Sequence, residues 1–289
     1  MVRRGWLGWA FVAPALLLTG VFFLWPLVLL GWISAHNWPL LGRARWIGWG
    51  NYRAILNDDV FLEALRFTLT YTAIITPVLF VVAFGLALLG NVERRGSEFF
   101  RTAWFLPTAI GISTASALWI WMLHGDVGVF TKIFNALGLV SGPIPYLDTV
   151  ASAMTAASSM VVWKTVGLTM ILLLVGLRAI PGELYEAARI DGATFWQSFR
   201  YVTLPLMRRT LKLALVLSVT GSLLVFDPFY VITRGGPQNA TISVVYWIYN
   251  NAFVSFRVGY ASALAIVLLA MVLAVNLAQL FLFRDEERA

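Results

Sequence analysis

Cysteine is absent from the 289 residues, and only 12% of them are charged. The first absence excludes disulfide bonds and thiolate metal sites. The second leaves too little charge to solvate the surface of a soluble domain of this length. Histidine is scarce as well: His36 and His124 stand apart without a ligand cluster around them, so no metal-site pattern is present. A phosphate-cradling loop is also missing. Such a loop needs glycine-rich sequence leading to Gly-Lys-Ser/Thr. Only Lys164-Thr165 pairs a lysine with a following hydroxyl residue, and none of the six residues before it is glycine. No serine-nucleophile motif or paired catalytic acids appear either, so the chain is expected to be neither an ATPase nor another enzyme, and to hold no cofactor.

What the chain does have is apolar sequence: 60% hydrophobic residues and a mean hydropathy of +0.81. Runs long enough to cross a bilayer, at about 20 residues each, lie at Trp6–Ile33, Leu69–Gly90, Trp104–Leu123, Thr155–Leu177, Leu213–Ile232 and Tyr260–Phe283. The pattern predicts an all-α integral membrane protein of six transmembrane helices, one domain over residues 1–289, with both termini on one side. Lys and Arg decide which side, because basic loops stay in the cytoplasm. Thirteen of them, among them Arg3, Arg94, Arg178, Arg208 and Arg284, fall on the face that holds the termini, against seven on the other. Both termini are therefore predicted cytoplasmic. Arg3-Arg4 ahead of a long apolar run without an Ala-x-Ala exit reads as an uncleaved first helix. The formal charge of +7 follows this topology rather than forming a base-stacking basic platform, which argues against nucleic acid as a partner.

In the first outer loop, Trp46, Trp49 and Tyr52 suit the membrane interface. Phe61, Leu62, Leu65 and Phe67, interleaved with Asp58, Asp59, Glu63 and Arg66, predict a short helix lying on the membrane surface. The second outer loop, His124–Val150, is rich in Gly and Pro and predicts turns. Pro228 removes a backbone donor and predicts a kink in the fifth span.

The loop between the fourth and fifth spans, residues 178–212, is the most shaped polar segment. Pro181 presets a helix start, with Glu183 and Glu186 near its positive end. Ala187 and Ala188 keep the surface narrow. Gly192 after Asp191 can take the positive φ that ends such a helix, and Ala193 follows. Phe195, Phe199 and Val202 then recur at helical spacing before Leu204-Pro205. This order of Glu, Ala-Ala, Asp-Gly-Ala, Phe and Leu-Pro resembles the EAA loop of ABC importer permeases, which docks on an ATPase subunit. Gly48 with Asn51-Tyr52, Phe105-Leu106-Pro107, Leu177-Arg178-Ala179-Ile180-Pro181 and Thr233-Arg234-Gly235-Gly236-Pro237 are similar to carbohydrate-importer permeases, the relatives of the maltose and glycerol-3-phosphate permease subunits.

The resemblance implies a permease subunit in the plasma (inner) membrane of a prokaryote, importing a sugar or related polyol. It implies a heterodimer with a second permease, two ABC ATPase subunits that bind ATP and Mg, and an extracytoplasmic solute-binding protein. Glu183, Glu186, Ala187, Ala188, Asp191, Gly192, Ala193, Leu204 and Pro205 are then the ATPase-coupling residues. Permeases for glycerol-3-phosphate or another phosphorylated polyol share almost every motif and stay open as an alternative.

Two ionisable residues sit where hydrocarbon should be, Lys164 and Asp227. Each costs at least about 2.5 kcal/mol to place there alone, so each should face a cavity or a partner. At about 1.5 Å per residue, both stand roughly 21 to 23 Å from the cytoplasmic ends of their helices. Two readings stay open: they flank the substrate path, pairing when it is empty, or they form a purely structural link between the fourth and fifth spans. Similarity to maltose permeases places Lys164, Thr165, Leu168, Leu223, Leu224 and Asp227 along the pathway, although the identities differ from those of the maltose site. The competing class is an ion-coupled secondary transporter with Asp227 as its ion site, which leaves the shape of the 178–212 loop unexplained.

Overall fold

The computed structural model describes residues 5–39, 42–92 and 95–282. In chain order the elements begin with α1 (Gly5–Thr19) and α2 (Trp25–Ser34), joined by a π turn, and the short antiparallel strands β1 (His36–Asn37) and β2 (Arg45–Trp46). Then come α3 (Gly50–Leu56), α4 (Asp59–Asn91), α5 (Ser97–Phe105), α6 (Ile112–Met122), α7 (Val129–Ala136) and α8 (Val150–Arg178). The chain continues through α9 (Gly182–Ile190), α10 (Phe195–Ser198), α11 (Leu204–Leu206), α12 (Arg208–Leu223), α13 (Val244–Tyr249) and α14 (Val258–Leu282).

The protein is mostly helical, as its hydropathy predicts. Among the described residues four helical stretches are long and apolar enough to cross a membrane: Phe11–Ser34, Asp59–Asn91, Val150–Arg178 and Val258–Leu282. The predicted third span is a bent pair, Ser97–Ala109 with Ile112–Met122, turning through 100°. Pro107 opens a 3-10 turn at Leu106–Ala109, and Ile110 and Gly111 then run extended before α6 starts. The predicted fifth span is interrupted too. The α12 helix stops at Leu223, just before Leu224, whose carbonyl lies four residues ahead of Pro228 and is the one that ring would crowd. The backbone carbonyl of Val225, freed at this break, accepts the buried Ser243 hydroxyl at 2.6 Å. A polar backbone group at membrane depth needs such a partner.

Two expectations are corrected. Phe61–Phe67 do not form a separate surface helix; they are the opening turns of α4, with Phe61, Ala64 and Phe67 all buried. Phe61, Ala64 and Phe67 recur every three residues and turn inward on a helix that continues, while Leu62 stays exposed. Within the Gly- and Pro-rich outer loop, Val129–Ala136 forms α7, with Thr131 as its buried residue.

The chain divides into two compact units. The first comprises Met1–Leu62 and Trp247–Leu273. Here Asp58 caps α4, accepting the Phe61 N–H at 3.1 Å, and also accepts the Trp247 indole at 2.9 Å and the Tyr260 hydroxyl. Burial by itself pushes this carboxyl up, but the hydrogen bonds from Tyr260, Trp247 and the Phe61 and Val60 amides together hold it below the ordinary carboxylate range.

The second unit comprises Glu63–Tyr246 and Ala274–Ala289. Its core has one cluster around Tyr71, Trp119, Met160 and Phe229 and another around Leu79, Met170, Leu173 and Met207. The helices approach closely where α8 meets α5: a Cβ on Gly167 would stand 2.0 Å from the Trp104 carbonyl oxygen. At the end of α4, the Arg101 guanidinium donates twice to the Gly90 carbonyl, at 2.8 and 2.6 Å, serving a helix-terminal acceptor that lacks an intrahelical donor.

Candidate functional site

Two places in the second unit gather the sequence-predicted residues. The first is the polar segment after α8. The α9 helix starts after Pro181 and ends in a Schellman arrangement: the Ala193 N–H reaches the Ala188 carbonyl at 2.9 Å and the Gly192 N–H reaches the Arg189 carbonyl at 3.1 Å. Gly192 takes φ +76°, the left-handed conformation that a side chain would strain. Glu183, Glu186, Ala187 and Asp191 are exposed, while Ala188 and Ala193 are half-buried.

The following segment is helical but irregular: α10, a π turn at Phe199–Thr203 and then α11, in which Leu204 and Pro205 are half-buried. A capping box starts it, with the Thr194 N–H donating to the Gln197 side chain at 2.7 Å and the Gln197 N–H donating to the Thr194 hydroxyl at 3.4 Å. Tyr185 and Thr203 share a hydrogen bond of 3.0 Å between their hydroxyls, tying α9 to this return segment. Between them lies a groove of about 580 Å³, lined by Leu88, Leu177, Tyr185, Glu186, Arg189 and Phe199 among others. Sequence reasoning missed both the capping box and the Tyr185–Thr203 tie. The first was readable as Thr-x-x-Gln; the second joins residues whose facing only the folded hairpin reveals.

The second place is a cavity of about 300 Å³ between α4, α8 and α12. Four predicted pathway residues, Thr165, Leu168, Leu224 and Asp227, line it. The structure does not bring Leu223 and Lys164 to that wall: Leu223 is 1% exposed, turned into the core one helical step away from Leu224.

Nor do Lys164 and Asp227 pair, which corrects that expectation. The Lys164 ammonium donates to the Thr108 carbonyl at 3.2 Å, and the Thr108 hydroxyl donates back to the Lys164 carbonyl at 3.1 Å. Asp227 instead accepts the Ser113 hydroxyl. Thr108 and Ser113 flank the 100° bend between α5 and α6, so both membrane-depth charges are tied to that bend rather than to each other. Among the described residues, no group of three or more His, Cys, Asp or Glu side chains is placed to hold a metal ion.

Comparison with known proteins matches the model of a family described as binding-protein-dependent transport system inner membrane component to residues 54–287. A probable ABC transporter permease of Pyrococcus horikoshii is 33% identical over 280 residues, covering 96% of each chain. The multiple sugar-binding transport system permease protein MsmF of Streptococcus mutans is 32% identical over 296 residues, covering 99% of this chain and 98% of its own. Among solved structures, a chain of a bacterial ABC transporter involved in the import of the acidic polysaccharide alginate superposes with a TM-score of 0.85. It is 25% identical, covering 98% of this chain and 97% of that one.

Proposed function

Because this chain belongs to the binding-protein-dependent transport system inner membrane component family, whose members are non-catalytic ABC permease subunits served by a separate ATPase, we propose that it forms half of the pathway of an importer for a sugar or related polyol. The observation that carries the coupling part of this reading is the Schellman-capped α9, presenting Glu186, Ala187 and Asp191 to solvent beside an open groove. A short, narrow, rigidly terminated helix is the shape needed to enter a recess on a partner and transmit its movement. Glu183, Ala188, Gly192, Ala193, Leu204 and Pro205 shape and support that face.

In this reading the chain is one permease domain of six spans, the bent α5–α6 pair and the interrupted α12 segment each counting as one. Its termini and the 178–212 loop face the cytoplasm of a prokaryotic cell. A second permease completes the pathway, two ATPase subunits that bind ATP and Mg act on the coupling faces, and a solute-binding protein delivers substrate outside. The sugar assignment draws on the substrate class in the name of the MsmF relative, and on a cavity that gathers Thr165, Leu168, Leu224 and Asp227.

The deciding experiment is ATP-driven sugar uptake by the reconstituted assembly carrying Glu186→Lys. Reversal of the charge at the docking face is expected to abolish uptake while the chain still reaches the membrane. Uptake at the wild-type rate would sink the coupling assignment.

A further inference from the structure

Resting on the reading of the α4–α8–α12 cavity as substrate pathway, we infer that the cavity selects uncharged, hydroxyl-rich sugars and rejects phosphorylated or carboxylated ones. Four of its six polar side chains present acceptors only. Among the described residues Asp227 is the only charged one on its wall, and a carboxylate has no proton to donate. Three of the hydroxyls that line it are committed as donors to their own helices. Thr165 donates to the Val161 carbonyl at 2.7 Å, Thr169 to the Thr165 carbonyl at 3.4 Å, and Ser222 to the Ser218 carbonyl at 2.8 Å. What these three present to a ligand is therefore lone pairs.

A ligand that complements such a wall must bring donors. Each sugar hydroxyl is a donor, and the C–H face of a sugar ring suits the apolar remainder, where Leu168, Leu172, Leu217 and Phe226 stand. A phosphate or carboxylate brings only acceptors and a second negative charge, and like charges brought together repel. The cation that would reverse this sign is Lys164, and it is held off the cavity wall by Thr108.

The other two hydroxyls on the wall are those of Ser218 and Tyr71. Tyr71 is fully buried, lines the cavity, and its phenolic oxygen has no hydrogen-bond partner. Leaving a buried hydroxyl unpaired is unfavourable, so the empty protein gains nothing from it. In the loaded state it and the Ser218 hydroxyl are the side-chain donors this wall has for a sugar oxygen.

The test is thermal unfolding of the purified full-length chain, with the subunits that accompany it. It is measured with millimolar maltose, sucrose or raffinose and, separately, with glucose 6-phosphate or glucuronate, in the absence of binding protein. At least one neutral sugar is expected to raise the midpoint, and neither anionic sugar to do so. Asp227→Asn is expected to weaken the neutral-sugar effect about tenfold or more in apparent affinity, the scale of one hydrogen bond to a charged group. Tyr71→Phe supplies a variant that folds normally, since it deletes an unpaired hydroxyl, and it too is expected to weaken the effect. Stabilisation by an anionic sugar as strong as by a neutral one, or an unchanged neutral-sugar effect in both variants, overturns the inference. Stimulation of ATP hydrolysis by loaded binding protein, read on the same preparation, tests the importer reading separately; its absence would count against that reading while the sugar-binding result stands by itself.

Discussion

Asp58 joins three separate stretches of the first unit through one side chain: its own helix start, the Trp247 indole and the Tyr260 hydroxyl. The Arg257 guanidinium lies 4.4 Å from the Tyr260 ring centre, so the tyrosine is held from both its edge and its face. Because the folded protein holds this carboxyl below the unfolded value of 3.8, the sign of its pH effect is fixed. The stability it contributes is fully present above the unfolded value and is lost as pH falls through the folded one. Asp58→Asn is expected to lower stability at neutral pH by about 2 kcal/mol, the scale of hydrogen bonds to a charged group. It should also flatten the acid limb of unfolding followed by tryptophan fluorescence. An acid limb as steep in the variant as in the wild type would show that other carboxylates dominate it. Nothing in the sequence pointed to this role, because Asp58 reads there as one charge in an amphipathic run, and its partners lie 189 and 202 residues away.

At the scale of elements, hydropathy reads continuous apolar helices and little else. The α4, α8 and α14 helices were legible because each is a run whose length matches a bilayer and whose backbone satisfies itself. The bend after Phe105 was not, since Pro107 and Gly111 sit within a run that stays apolar on both sides. The break before Pro228 was anticipated from the missing donor, whereas the Ser243 hydroxyl that makes it tolerable came from a different segment. The same limit explains the candidate site. Lys164 and Asp227 stood out as charges in hydrocarbon, but their partners Thr108 and Ser113 are ordinary small polar residues, separated from them by 56 and 114 positions. Helical phase accounts for Leu223, which comparison by position could not separate from Leu224. Close helix contact gives the prediction at this scale. Gly167→Ala would drive a methyl into the Trp104 carbonyl and is expected to destabilise by about 1–3 kcal/mol or prevent α8 from seating on α5. Gly85→Ala, in α4 with nothing within 4 Å, is expected to stabilise by about 0.5–1 kcal/mol. Thermal midpoints moving in the same direction for both variants would refute the close-packing argument.

At the scale of the whole molecule, the unequal distribution of Lys and Arg makes sidedness the most exposed of the proposals, and the absence of cysteine makes it directly measurable. Single cysteines can be introduced into a background that has none to remove. Ser141 lies exposed in the proposed outer loop and Glu98 lies exposed at the start of α5, near Arg95 and Arg101 on the proposed cytoplasmic side. In intact spheroplasts a membrane-impermeant maleimide is expected to label Ser141→Cys at once and Glu98→Cys only after permeabilisation. The opposite pattern would invert the topology and remove the α9 face from the compartment where ATP is hydrolysed. Ala187→Cys extends the same measurement to the partner. Its side is expected to match that of Glu98→Cys, since α9 follows α8 at the end marked by Arg178. In permeabilised membranes its labelling should slow severalfold when the ATPase subunits are present, while Glu98→Cys keeps its rate. Equal rates with and without those subunits would leave α9 uncovered and shift the docking site to another cytoplasmic surface, even if the topology itself held.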